Sequence, residues 1–251
     1  MIDIKRDVGV VILAGGLGTR LQTVLKDKPK VLADISGRPF IFFLLDQLSK
    51  AGIEKVVICS GHMGEYLENV IGSVYKSLQI DFSRERMLLG TGGALRQVVD
   101  IVKRKWILVL NGDSYVDVDL PGFVTWHEKI GAKISAVVTS VEENSRYGSV
   151  DLRLDGEIQR FVEKCSLTVK NAGKNTKLIN AGVYLVHESI IKSFPAGTKL
   201  SLEEEILPRQ VGRGFFGYKT TGAFIDIGTP ESLLSAPGFF ESIQAGSKYS
   251  T

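Results

Sequence analysis

Val8 to Ala14 (VGVVILA) is an unbroken apolar run rich in β-branched residues and closed by Gly15-Gly16. That pattern predicts a strand buried on both faces, as in a parallel sheet. A loop rich in Gly, Lys and Pro follows to Pro29-Lys30. Pro39 then opens a helix through about Ala51, with Gly52 as its stop. Lys55 to Ser60 reads as a second buried strand. Gly64 to Leu78 reads as a second helix, with Tyr66, Leu67, Val70, Ile71 and Val74 at helical spacing. A short strand (Gln79 to Phe82), a helix (Gly93 to Val102) and the apolar strand Trp106 to Leu110 come next. A helix around Gly122 to Ile130 and a strand Ile134 to Val141 continue the alternation. This is βαβαβ with right-handed crossovers, an α/β, doubly wound, mostly parallel Rossmann-like sheet.

Beyond about Ser145 the pattern changes. Short strands are expected near 148–152 and 158–163, then a polar loop at 168–177 and a strand from Ile179 to Val186. Helical stretches at 188–193 and 202–211, strands at 215–219 and 224–227, and a final helix from Pro230 complete the chain. The second half therefore reads as a smaller α+β part laid on the first. No internal repeat is present, and no hexapeptide solenoid follows residue 235.

Length and composition narrow the classes. The 251 residues fit one large domain or a domain with a small insertion, and 44% hydrophobic against 24% charged residues excludes a disordered protein. A net charge of +3 is too slight and dispersed to argue for a nucleic-acid or membrane partner. The two cysteines, Cys59 and Cys165, could form one disulfide, but two reduced thiols are the usual reading. With no apolar run of signal-peptide or membrane-span length, the expected setting is the cytoplasm.

Several segments could carry chemistry. Gly15-Gly16-Leu17-Gly18-Thr19-Arg20-Leu21 follows the first strand; its glycines let backbone N–H groups approach an anion, and Arg20 offers a planar cationic fork. A plain glycine turn would look the same. The loop is neither a dinucleotide fingerprint, since Leu21 stands where the third glycine belongs, nor a Walker A loop. Lys28-Pro29-Lys30 alone is a solvated basic turn; joined to the glycine loop, it makes a triphosphate clamp with cations Arg20 and Lys30. Asn111-Gly112-Asp113 places a carboxylate past the C-terminal end of a parallel strand, the edge where open α/β sheets bind ligands. Asp226 alternates with Ile225 and Ile227, which suits either a wet strand face or a second carboxylate for a hard cation such as Mg²⁺. Phe161-Val162-Glu163-Lys164 ends a strand with paired charges. Asn180-Ala181-Gly182 suits the reading of sugar hydroxyls or a buried turn, and Gly90-Thr91-Gly92-Gly93-Ala94 offers a flat glycine surface to a nucleobase. His62, His127 and His187 have no zinc spacing, and no nucleophile elbow occurs.

Taken in chain order, these motifs closely resemble the sugar-1-phosphate nucleotidyltransferases, or nucleoside-diphosphate-sugar pyrophosphorylases. That family's pattern is G-G-x-G-T-R-L, P-K, a Gly-rich base loop, N-G-D, E-K, N-x-G and D-x-G-T-P. It is met here by Gly15–Leu21, Pro29-Lys30, Gly90–Ala94, Asn111–Asp113, Glu163-Lys164, Asn180–Gly182 and Asp226–Pro230, across residues 8 to about 235. The short chain, the L-G-T-G-G-A loop and Arg146-Tyr147-Gly148 look most like the D-glycero-α-D-manno-heptose 1-phosphate guanylyltransferases. Mannose-1-phosphate guanylyltransferases and N-acetylmuramate-1-phosphate uridylyltransferases are also similar.

The resemblance implies a glycosyltransferase-A-type sheet and a single domain over 1–235. Its nucleotide-binding part would be about 8–145 and its sugar-binding part about 146–235, with a C-terminal helix and tail at 236–251. It implies the Mg²⁺-dependent reaction of a nucleoside triphosphate with a sugar 1-phosphate to give a nucleotide sugar and pyrophosphate, serving lipopolysaccharide or another surface glycan; a homo-oligomer is allowed. Carried over residue by residue, Arg20, Lys30 and Lys164 are catalytic, and Asp113 and Asp226 hold the metal. Leu13, Gly15, Gly16, Gly18, Thr19, Glu85, Gly90, Thr91 and Gly92 bind the nucleotide; Asn111, Gly148, Glu163, Asn180 and Gly182 bind the sugar. A carboxylate at Glu85 can accept from both N1–H and N2–H₂ of guanine, whereas uracil and thymine offer only N3–H, which favours GTP. The competing readings are a uridylyl- or thymidylyltransferase, a catalytically silent nucleotide-sugar sensor, and a dinucleotide-dependent oxidoreductase, which the missing third glycine disfavours. Retention of all five charged residues, at 20, 30, 113, 164 and 226, counts against the sensor.

Overall fold

The computed structural model describes residues 1–16, 18, 21, 25, 28–141, 147–162 and 177–247. In chain order these form β1 (Val8–Leu13), β2 (Asp34–Ile35), β3 (Arg38–Pro39), α1 (Ile41–Lys50), β4 (Lys55–Ser60), α2 (Gly64–Ile71), β5 (Val74–Tyr75) and β6 (Leu78–Arg84). There follow α3 (Gly90–Val102), β7 (Trp106–Asn111), β8 (Ser114–Val116), α4 (Leu120–Ile130), β9 (Ile134–Val141), β10 (Ser149–Leu152), β11 (Ile158–Val162) and β12 (Lys177–His187). The rest are α5 (Glu188–Lys192), a π-helical turn (Leu202–Ile206), a 3-10 turn (Leu207–Gln210), β13 (Phe215–Thr220), β14 (Phe224–Asp226) and α6 (Pro230–Ser247).

Eight strands make the central sheet in the order β13-β9-β12-β7-β1-β4-β6-β5. β7, β1, β4 and β6 run parallel, β12 lies antiparallel to both β7 and β9, and β13 is parallel to β9. The doubly wound, mostly parallel expectation is therefore met, and β12, together with β5 at the edge against β6, makes the sheet mixed. Alternation shows why the runs are continuously apolar. Val10 and Ile12 of β1, Val56 and Ile58 of β4, and Leu108 and Leu110 of β7 enter one core, with α1, α4 and α6. Their neighbours Val11, Leu13, Val57, Cys59, Ile107 and Val109 enter the other, beneath α3.

The sheet winds from β1 outward to β4 and β6 on one side and to β7 on the other. The switch point thus lies between the C-terminal ends of β1 and β7, the edge at which open α/β sheets bind ligands. A cavity of about 580 Å³ lined by Val8, Gly9, Lys55 and Arg104, among others, sits at the opposite edge, where the strands begin.

One expected helix is cut short. The 64–78 segment stops at Ile71 because Gly72 takes φ +74°, and Val74, expected on the helix's apolar face, is an exposed residue of β5. The helix expected from Gly93 begins three residues earlier, at Gly90. Among the described residues no helix is long and apolar enough to cross a membrane. Cys59 is a free buried thiol, held in its protonated form by burial; Cys165 lies outside the described residues.

His127 of α4 is fully buried, its Nδ1 sharing a hydrogen bond with Ser135 Oγ at 2.7 Å and Trp106 standing edge-on to its ring. Burial lowers its pKa from 6.5 to about 4. Between those values the unfolded chain binds the proton and the folded one resists it, so stability present above pH 6.5 is lost as pH falls toward 4. The loss from this one group is about 3 kcal/mol at most. Urea melts at pH 7 and pH 4.5 should show the difference, and His127→Gln should flatten it.

Candidate active site

At the switch point the ends of β7 and β1 are joined backbone to backbone. Gly112 N–H donates to the Leu13 carbonyl at 2.9 Å, clamping the end of β7 to the end of β1. A Cβ on Gly112 would lie 2.8 Å from that carbonyl and 3.0 Å from Val31 Cγ1, so only glycine permits the approach. Asp113, the next residue, is thereby placed just past the sheet edge.

Two cations and a second aspartate were expected around Asp113. Lys30, at the head of a 3-10 turn stiffened by Pro29, reaches it with Nζ 2.6 Å from Oδ2. The lysine side chain is 13% exposed and the aspartate 41%, so a largely sequestered ammonium meets a carboxylate that still faces solvent. Asp226 arrives on β14, which pairs antiparallel with β8 so that Asp226 stands opposite Ser114. The Ile227 N–H donates to the Asp113 carbonyl at 2.9 Å, extending the pairing by one position. Ile225 and Ile227 are buried, while one Asp226 oxygen accepts the Gly228 N–H. The two aspartates thus lie on adjacent strands, one register position apart. Among the described residues no three His, Cys, Asp or Glu side chains cluster as metal ligands. Two carboxylates completed by phosphate oxygens and water fit Mg²⁺ and do not fit a closed structural zinc site.

The glycine loop lies beside this pair. A Cβ on Gly18, which has φ +57°, would sit 3.4 Å from Lys30 Cβ, and Leu21, buried, donates its N–H to the Gly18 carbonyl. Gly16 is open to solvent. Gly15 abuts Glu85, whose Oε1 would be 2.6 Å from a Cβ there. The other oxygen of Glu85 accepts the Leu89 N–H at 2.8 Å. Burial raises the Glu85 carboxyl above its ordinary range, and the Leu89 N–H offsets part of that. Thr19, Arg20, Glu163 and Lys164 fall outside the described residues.

The Gly90–Ala94 segment is placed differently from a bare glycine shelf. A Cβ on Gly90 or Gly93 would collide with the carbonyl of Leu200 or Thr198, and one on Gly92 with Ile206 Cδ1. Both Gly92 and Gly93 donate their N–H to Leu200 O. These glycines let the 198–206 segment pack closely against the start of α3. Thr91 turns its hydroxyl onto Glu203 Oε2 at 2.7 Å.

Asn180, Ala181 and Gly182, expected on the sugar side, lie within β12, at a register shift against β9 where Gly182 takes φ +75°. Gly182 presses on Asn111: a Cβ would come within 3.2 Å of Asn111 Nδ2 and 2.5 Å of Ser114 Oγ. Asn180 Oδ1 accepts the Gly182 N–H, and its Nδ2 donates to Tyr184 Oη at 2.6 Å. Asn111 donates to Glu203 Oε1 at 3.1 Å, and its own oxygen is buried without a partner among the described residues. Gly148 is buried beside Tyr147, whose ring stands edge-on to Phe224, two residues before Asp226. Sequence reasoning missed Glu203, Tyr184 and Ser114; Glu203 hides in the run Glu203-Glu204-Glu205, which reads as a solvated charge cluster.

Comparison with known proteins gives the family. The nucleotidyl transferase family model matches residues 9–242. A D-glycero-α-D-manno-heptose 1-phosphate guanylyltransferase of Aneurinibacillus thermoaerophilus is 32% identical, over 90% of this chain and 95% of the relative. A mannose-1-phosphate guanylyltransferase catalytic subunit beta of Xenopus tropicalis is 33% identical over 90% of this chain, which spans 62% of that relative. The crystal structure of HddC from Yersinia pseudotuberculosis superposes with a TM-score of 0.80 at 33% identity, covering 92% of this chain and 99% of that one; the same protein has been solved with GMP-PN. A nucleotidyl-transferase sheet whose switch point gathers an N-G-D aspartate, a P-K lysine and a paired second aspartate, matched over nearly its whole length, places this chain in the nucleotidyl transferase family.

Proposed function

We propose that the protein is a guanylyltransferase that joins GTP to D-glycero-α-D-manno-heptose 1-phosphate, releasing pyrophosphate, in the cytoplasmic synthesis of a surface glycan such as lipopolysaccharide. The observation that carries the reading is the Lys30–Asp113 ion pair at the switch point, with Asp226 one register position away opposite Ser114, in a chain that covers 95% of a heptose 1-phosphate guanylyltransferase. Mannose 1-phosphate is the alternative acceptor, favoured by the similarity to the mannose-1-phosphate guanylyltransferase.

The sugar phosphate is already ionised at neutral pH, so no general base is needed. One of its oxygens bonds to the α-phosphorus as the α–β bridge breaks, and pyrophosphate leaves with the electron pair. Catalysis then rests on positioning and charge neutralisation. Asp113 and Asp226 are the residues that would hold Mg²⁺, which when bound supplies positive charge at the phosphates. Lys30, with Arg20, neutralises the departing pyrophosphate, and Lys164 orients the attacking phosphate. Glu163, Asn180 and Gly182 face the sugar, with Asn111 and Gly148; the base lies between Glu85 and the Gly90–Gly92 backbone, with Leu13, Gly15, Gly16, Gly18 and Thr19 along the nucleotide. The function is tested by pyrophosphate release across four NTPs and a panel including heptose and mannose 1-phosphates, with and without Mg²⁺. No release from GTP with either sugar overturns it.

Base choice gives a sharper expectation. Glu85→Gln replaces one acceptor oxygen with a donor and should cut the GTP:UTP preference in kcat/KM about tenfold. Because burial holds the Glu85 carboxyl above the ordinary range, the KM for GTP should rise on acidification sooner than an exposed glutamate would allow. An unchanged preference in the variant removes Glu85 from base recognition.

A further inference from the structure

Thr91 and the two asparagines have been assigned to different substrates, yet all connect to one side chain. Glu203 is partly buried on the π-helical turn, where the Ile206 N–H bonds back to the Ser201 carbonyl, the wider spacing that sets this turn apart from an α-helix. The three consecutive glutamates divide their work. Glu205 accepts the Ser201 N–H at 2.9 Å, Glu204 is exposed, and Glu203 turns inward. Its Oε2 accepts the Thr91 hydroxyl at 2.7 Å, while Thr91 Oγ1 in turn accepts the Leu202 N–H at 2.8 Å. Its Oε1 accepts Asn111 Nδ2–H at 3.1 Å and the Tyr184 hydroxyl at 3.4 Å. That hydroxyl is itself the acceptor for Asn180 Nδ2–H. An acceptor facing Asn111 Nδ2 also fixes which end of that amide is which, leaving the buried Asn111 oxygen as the group still able to accept.

We propose that Glu203 is a positioning residue that locks the nucleotide loop, through Thr91, to the sugar-side amides, through Asn111 and through Tyr184 to Asn180, so that the two substrates are held in one fixed relation. This rests on the reading of Thr91 as nucleotide-binding and of Asn111 and Asn180 as sugar-binding. The linkage is short and made of hydrogen bonds to one carboxyl group, so slackening it loosens both half-sites together.

The test is steady-state kinetics on the full chain with GTP and heptose or mannose 1-phosphate, with a melting curve for each variant. Glu203→Ala should raise the KM for both substrates about tenfold. Tyr184→Phe keeps the ring and removes the hydroxyl between Asn180 and Glu203. It should raise the KM for the sugar 1-phosphate severalfold and leave that for GTP within twofold. A merely structural glutamate would lower the melting temperature without moving KM. The proposal is overturned if Glu203→Ala leaves either KM within twofold of wild type, or if Tyr184→Phe leaves the sugar KM unchanged; should Glu203→Ala not fold, Tyr184→Phe alone decides. Absence of turnover by the wild-type protein sinks the functional reading and this inference together, whereas wild-type turnover with unmoved KM values sinks the inference alone.

Discussion

Asp113→Asn lowers kcat by roughly a thousandfold, the scale expected when a metal-held charge at the reacting phosphates is lost. The substitution preserves size, and an amide oxygen can still accept from Lys30 Nζ, now 2.6 Å from Oδ2. The backbone that fixes this position remains: the Gly112 N–H to Leu13 carbonyl bond and the Ile227 N–H to Asp113 carbonyl bond both survive. The melting temperature should therefore change little while turnover collapses. Pyrophosphate release in Mg²⁺, measured beside a thermal melt, separates the two. Turnover near the wild-type rate would dismiss Asp113 as a metal ligand.

Lys30→Met has the second largest effect, about a hundredfold in kcat/KM for the nucleotide, because an ammonium aimed at the departing pyrophosphate is lost. It also carries a signature that a general loss of structure lacks. Lys30 occupies one Asp113 oxygen, so the substitution frees that oxygen for a cation. Divalent-ion binding to the substrate-free protein, followed by titration calorimetry with Mn²⁺, should tighten in Lys30→Met even as turnover falls. Weaker ion binding would show that the lysine supports the aspartate rather than competing for it.

The parallel half of the sheet was readable because β1, β4 and β7 are covered on both faces, and burial on both faces leaves continuous apolar runs. The N-G-D, P-K and D-x-G-T-P segments were readable as motifs, and the structure brings Lys30, Asp113 and Asp226 to one edge. β8 was not: at three residues it is too brief for any period to show, whereas the short strands expected at 148–152, 158–163 and 224–227 are present as β10, β11 and β14. The pairing of β8 with β14 sets Asp226 opposite Ser114. The helix from Gly64 was drawn too long because apolar spacing continued past Gly72, whose left-handed conformation ends it. Glu203 was illegible for another reason. Three adjacent glutamates look alike in sequence, and only the π-helical turn selects which of them faces Thr91 and Asn111.

The pairing of β8 with β14 also bears on when the protein becomes competent. Asp113 and Asp226 are almost half the chain apart, and the strands that unite them share only a three-position register. During synthesis β1, β4, β6 and β7 emerge, and can assemble their parallel core, long before β14 exists. A chain that lacks β14 therefore presents Asp113 at the sheet edge without Asp226 opposite Ser114. On the proposed metal-holding roles of Asp113 and Asp226, reactivity would wait for the docking of the last strand, so the contact that completes the architecture would also complete the centre.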